Sequence, residues 1–92
     1  MKEKAVYLNH NLVPVTHQEF LALTYMAKHP GWVFNREQIY TEIYGEVKTE
    51  NIDNSIYCLI RGLRKKIEAD LKNPQYIQTV RGVGYKFVIP EE

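Results

Sequence analysis

With one cysteine, Cys58, the chain has no internal disulfide available to it. No histidine lies near that cysteine in sequence, and His10, His17 and His29 share no ligand spacing, so a zinc framework is excluded and a reducing compartment fits best. Long apolar runs are also missing. Nothing approaches the ~20 residues needed to span a bilayer, and no charged-then-apolar signal pattern opens the chain, so the expectation is a soluble, cytoplasmic protein. No nucleophile with its base, paired carboxylates, P-loop or metal cluster is present, and Gly82-Val83-Gly84 alone is no nucleotide fingerprint. Neither catalysis nor a cofactor is therefore expected. Repeats, low-complexity tracts and linkers are absent too, and 92 residues build one core but not two, giving a single domain over 1–92.

Net charge is nearly absent, at +1, yet its distribution is lopsided. Residues 1–60 hold five Lys/Arg against seven Asp/Glu, whereas 61–86 hold seven against two. A local basic footprint of this kind is what a polyanionic partner requires.

Two short apolar runs, Ala5–Leu8 and Leu12–Val15, flank the turn-tolerant Asn9-His10-Asn11 and predict a small hairpin, with Pro14 restricting the second run to an edge. Thr16-His17-Gln18-Glu19 has capping-box spacing, so a first helix starts there, with Phe20, Leu23 and Ala27 on its apolar face, and stops at Pro30-Gly31. Trp32, Val33 and Phe34 read as an apolar connector packed on the core. Asn35-Arg36-Glu37-Gln38 repeats the cap logic for a second helix that ends near Gly45. Gly45 to Glu50 is polar and aperiodic, hence a loop.

The third helix is read from Asn51 to about Leu71, ended by Asn73-Pro74. Ile52, Ile56, Ile60, Leu63 and Ile67 fall within a stripe roughly 80° wide and face the core. Asn51, Asn54, Cys58, Arg61 and Lys65 occupy the opposite side, with Tyr57, Gly62, Arg64 and Glu68 on its flanks. Tyr76–Val80 and Tyr85–Ile89 then bracket Arg81-Gly82-Val83-Gly84, whose glycines permit the positive φ of a tight hairpin. A cationic helix beside a narrow ribbon suits a duplex, because the helix enters the major groove while the ribbon reaches backbone or minor groove. In that role Arg61 is the base reader, Lys65 a phosphate contact, Arg81 a minor-groove or phosphate contact, and Asn54 a candidate for adenine. Cys58 reads as a small contact residue, since little nearby in sequence favours its thiolate.

In their order and spacing, Thr16–Phe20, Pro30-Gly31 with Arg36, Tyr44-Gly45, Leu63–Ile67 and Thr79–Tyr85 resemble the winged-helix effector domain of OmpR/PhoB-type response regulators. The resemblance implies an α+β winged helix-turn-helix: a small N-terminal antiparallel sheet, three helices and a C-terminal β-hairpin wing. It implies binding of double-stranded DNA through Asn54, Ser55, Cys58, Arg61, Gly62 and Arg64 on the third helix and Thr79 and Arg81 in the wing, to which the charge reading above adds Lys65. It also implies pairing on repeated half-sites and contact with RNA polymerase through the Gly45 to Glu50 loop. Tyr57, Leu59, Gly62 and Tyr44 depart from the family pattern. Gly62 requires a local reason, such as close approach of a sugar-phosphate strand, since glycine inside a helix costs about 1 kcal/mol relative to alanine. The competing reading is a winged-helix module that holds a protein partner with the same surface or with the Gly45 to Glu50 loop, without sequence-specific DNA binding.

Overall fold

The computed structural model describes residues 6–8, 11–46 and 51–89. The chain runs β1 (Val6–Leu8), β2 (Asn11–Val13), α1 (His17–Ala27), β3 (Val33–Asn35), α2 (Arg36–Tyr44), α3 (Ile52–Ile67), β4 (Ile77–Val80) and β5 (Gly84–Phe87). This is the expected α+β winged-helix architecture, with one strand, β3, between α1 and α2 that is not expected from the sequence. β1 and β2 pair antiparallel with Val6 opposite Val13, and β2 stops before Pro14, which has no N–H to donate. Ala5, Asn9 and His10 of the expected hairpin lie outside the described residues.

Both capping boxes form. Thr16 Oγ1 accepts from the Glu19 N–H at 3.1 Å while the Thr16 N–H donates to Glu19 Oε1 at 2.9 Å. Asn35 and Gln38 make the same exchange at 2.8 Å in each direction. Each box satisfies two of the backbone donors that a helix start leaves without partners. At the far end of α2, Gly45 takes φ +82° and its N–H returns to the Thr41 carbonyl, which closes the helix where a side chain would be strained.

The buried face of α1 is rotated from the expected face of Phe20, Leu23 and Ala27 with Met26 at its margin. Glu19, Ala22, Leu23 and Met26 are buried, at i, i+3, i+4 and i+7 spacing, while Phe20 and Ala27 are half-buried. The polar Glu19 conceals this stripe in the sequence. Trp32 to Phe34 also departs from expectation. Val33–Asn35 is a strand whose alternation sends Phe34 into the core and Val33 outward; Trp32 precedes the strand and stays 59% exposed with its ring stacked on His29.

The three-stranded sheet has the order β3-β5-β4, antiparallel throughout, with Phe34 opposite Tyr85 and Thr79 opposite Tyr85 on the other side. Its inner face meets the α3 stripe, where Ile56, Ile60, Leu63 and Ile67 are buried with Ile39 of α2 and Ile77 of β4. Burial of such side chains stabilises the fold by about 1.5–3 kcal/mol each.

α3 stops at Ile67, earlier than the expected Leu71. Glu68 turns to extended backbone (ψ 132°) and is buried, which corrects its placement on the outward flank. The reason is its carboxylate: it accepts the backbone N–H groups of Gln75 (2.6 Å), Tyr76 (3.0 Å) and Ile77 (2.9 Å). The buried Ile77 N–H would otherwise go unpaired, and a helical Glu68 on the surface would not serve it.

In the wing, the turn Arg81–Val83 closes through the Val83 N–H to the Val80 carbonyl at 2.9 Å. Only Gly82 takes a positive φ, +75°. Gly84 belongs to the strand, paired with Val80 on one side and Asn35 on the other.

Candidate nucleic-acid interface

The apolar stripe of α3 fixes the rotation of the helix, so the residues opposite it are presented outward by necessity. Asn54, Cys58, Arg61 and Lys65 are exposed, as is Tyr57 on the flank at 57%, and Ser55 is half-buried. In the wing Thr79 and Arg81 are exposed. Among the described residues, Arg61, Lys65 and Arg81 have no carboxylate partner, so their charge is undiminished.

Two expected contacts are placed differently from the rest. Gly62 lies against α1: a Cβ built there meets Glu19 Oε2 at 2.8 Å. The close neighbour that explains this glycine is the Glu19 carboxylate, and no sugar-phosphate strand is needed to account for it. Arg64 turns along the helix flank to β4. Its Nε and Nη2 donate to the Ile77 carbonyl at 3.1 and 2.8 Å, Nη2 also donates to Thr79 Oγ1 at 2.8 Å, and the guanidinium stands 5.7 Å from the centre of the Tyr85 ring. All these partners are uncharged, so the residue keeps its positive charge while joining helix to wing. Arg61 lies one turn before Arg64, and Arg81 two residues beyond Thr79. The bridge therefore connects the two halves of the basic footprint.

Two ion pairs support the helices behind this surface. Arg36 Nε meets Asp53 Oδ1 at 3.0 Å, fastening α2 to the first turn of α3; as an exposed pair it contributes at most about 1 kcal/mol. Lys66 Nζ meets the buried Glu19 at 2.6 Å, which withdraws Lys66 from the footprint. Burial raises the Glu19 pKa, but the hydrogen bond from Lys66, the capping contacts with Thr16 and the Lys66 charge outweigh it and hold the carboxyl below its ordinary value of 4.5. Spacing announces the cap role of Glu19 but not this pairing across 47 residues, and it gives no signal at all for Glu68.

Of the Gly45 to Glu50 loop, residues 47–50 lie outside the described residues. Among the described residues no three His, Cys, Asp or Glu gather as a metal site, and no helix is long and apolar enough to cross a membrane.

Three helices with the third presenting a cationic outer face, followed by a wing tied to that face, define a winged helix-turn-helix domain. Residues 10–87 match the family described as "Transcriptional regulatory protein, C terminal", and the chain belongs to that family, the effector domains of OmpR/PhoB-type response regulators. It is 40% identical over 84 residues to the transcriptional regulatory protein SpaR of Bacillus subtilis, covering 91% of this chain and 37% of that protein. Over 66 residues it is 44% identical to the transcriptional regulatory protein YvrH of Bacillus subtilis strain 168, covering 72% of this chain and 27% of that one. The RstA DNA-binding domain of Klebsiella pneumoniae, solved in complex with the RstA box, has the same fold with a TM-score of 0.80 and 30% identity, covering 91% of this chain and 82% of that one. The chain spans 27–37% of the length of the curated relatives it matches.

Proposed function

We propose that this domain binds double-stranded DNA in a sequence-specific manner and regulates transcription as the output part of a two-component response regulator in the cytoplasm, without catalytic activity of its own. The observation that carries this reading is the Arg64 bridge: it makes the outward face of α3 and the wing one platform, with Arg61, Lys65 and Arg81 unpaired on it. The RstA domain in complex with its box supports it, because that domain shares the architecture. In this arrangement Arg61 reads a base edge, with Asn54, Ser55 and Cys58 lining the same helix face, while Lys65 and Arg81 hold phosphates. Pairing on adjacent half-sites and contact of the Gly45 to Glu50 segment with RNA polymerase complete the proposal. A module that only holds a protein partner is less favoured, since the RstA domain of the same architecture was solved with its DNA box bound.

Duplexes selected from a random pool supply the probe. With two phosphate contacts, Lys65 and Arg81, binding is expected to weaken roughly 12-fold between 50 and 200 mM salt. Arg61→Ala is expected to relax preference among the selected sequences by about 10-fold or more, whereas Lys65→Ala weakens all sequences alike and reduces the salt slope by about one. Competition binding at several salt concentrations measures both. Equal losses on every sequence from both changes would refute base reading by Arg61, and salt-independent binding would refute the duplex as partner.

A further inference from the structure

Arg64 and Glu68 stand four residues apart, hence on one side of the end of α3, and both spend their polar atoms on the same strand. Glu68 takes the backbone N–H groups of residues 75 to 77 as the chain enters β4. Arg64 takes the carbonyl of Ile77 and the hydroxyl of Thr79, so Ile77 is held at its N–H by one residue and at its C=O by the other. Neither set of bonds belongs to a sheet ladder or a helix. They exist only because α3 and β4 are at this distance and register.

We infer that Arg64 and Glu68 form a clamp on β4 that sets the wing's position against α3, making both of them positioning residues for DNA binding. This rests on the proposed DNA-binding function and assigns Arg64 a role other than the direct DNA contact that the family resemblance implies. Glu68 is a carboxylate beside a basic footprint, so on charge alone its removal strengthens binding to a polyanion. The clamp predicts the reverse. In Glu68→Gln the side-chain NH2 must face backbone donors at one of the two oxygen positions, opening the joint while the shape of the residue is kept.

The test measures binding to a duplex selected by the unaltered domain, as a function of salt, for Glu68→Gln, Arg64→Met, Arg81→Ala and the double variant Arg64→Met/Arg81→Ala, with circular dichroism confirming the fold of each. Glu68→Gln and Arg64→Met are each expected to weaken binding about tenfold. Once Arg81 is gone the wing has little left to position, so Arg64→Met should then cost less than about twofold. Unchanged or tighter binding by Glu68→Gln overturns the clamp. So does a full tenfold loss from Arg64→Met in the Arg81→Ala background with the salt slope reduced by about one, which marks a direct phosphate contact. If Glu68→Gln does not fold, the Arg64 and Arg81 variants decide alone. If the unaltered domain binds no duplex, the proposed function fails separately, and the amide resonances of residues 79–84 in Glu68→Gln judge the clamp: shifted wing signals beside unchanged α1 and α2 signals sustain it, and unchanged wing signals overturn it.

Discussion

Replacing Gly84 with valine is expected to lower stability by about 3 kcal/mol and the thermal midpoint by roughly 12–24 °C. A Cβ at this position lands in the carbonyl oxygen of Phe34 and lies 2.7 Å from the Cα of Asn35, both backbone atoms that cannot rotate away. Relief requires β3 to separate from β5, which moves Phe34 out of the core and shifts Asn35, the N-cap of α2. The damage then passes from the wing's base to the second helix. Gly82→Ala is the contrast. Among the described residues, none beyond its chain neighbours comes within 4 Å of a Cβ there, so the substitution incurs only the strain of a positive φ, about 1 kcal/mol. Thermal unfolding of the two variants side by side checks this order, and a Gly84→Val protein as stable as Gly82→Ala would show that β3 does not pack on β5 as described.

These two glycines also show where the sequence stops being informative. In Arg81-Gly82-Val83-Gly84 they look equivalent, and the turn chemistry was legible, but which glycine supplies positive φ and which admits a neighbouring strand depends on β3, some fifty residues earlier. β3 itself was illegible because three residues carry no periodicity, and its pairing with β5 is non-local. Local signals did better: both capping boxes, the Ile stripe of α3 and the glycine end of α2 were all visible, since each is decided within about one or two turns of chain. The site divides the same way. The outward exposure of Asn54, Cys58, Arg61 and Lys65 follows from the stripe alone, whereas Arg64, Gly62 and Glu68 are assigned by partners 13, 43 and seven to nine residues distant. Helical spacing puts Arg64 and Glu68 on the outward flanks of the third helix. Their hydrogen-bonding capacity, which no periodicity records, drew them to β4.

Glu19 is the other position where one substitution should be costly. Its Oε1 accepts from both the Thr16 N–H and Lys66 Nζ, so Glu19→Ala removes half of a capping box and leaves Lys66 without its counter-charge. Breaking a buried pair can cost 3–5 kcal/mol, but the Lys66 side chain is 35% exposed and regains water, so ~2–3 kcal/mol is expected. Because the folded carboxyl titrates below 4.5, its contribution is complete above that pH and is lost as pH falls through the lower folded value. The stability difference between the unaltered domain and Glu19→Ala, measured by urea unfolding, should therefore be largest near pH 7 and shrink under acid conditions. Gly62 provides an internal control. A methyl at Gly62 crowds Glu19 Oε2 at 2.8 Å, and that carboxylate cannot swing aside freely while Lys66 and Thr16 hold its other oxygen. Gly62→Ala is thus expected to destabilise the unaltered domain despite alanine's better helix propensity. In the Glu19→Ala background the crowding is gone, and the same change should stabilise by up to about 1 kcal/mol. A gain of equal size in both backgrounds would mean that Glu19 does not press on Gly62, and the packing of α1 against α3 described here would be wrong at that contact.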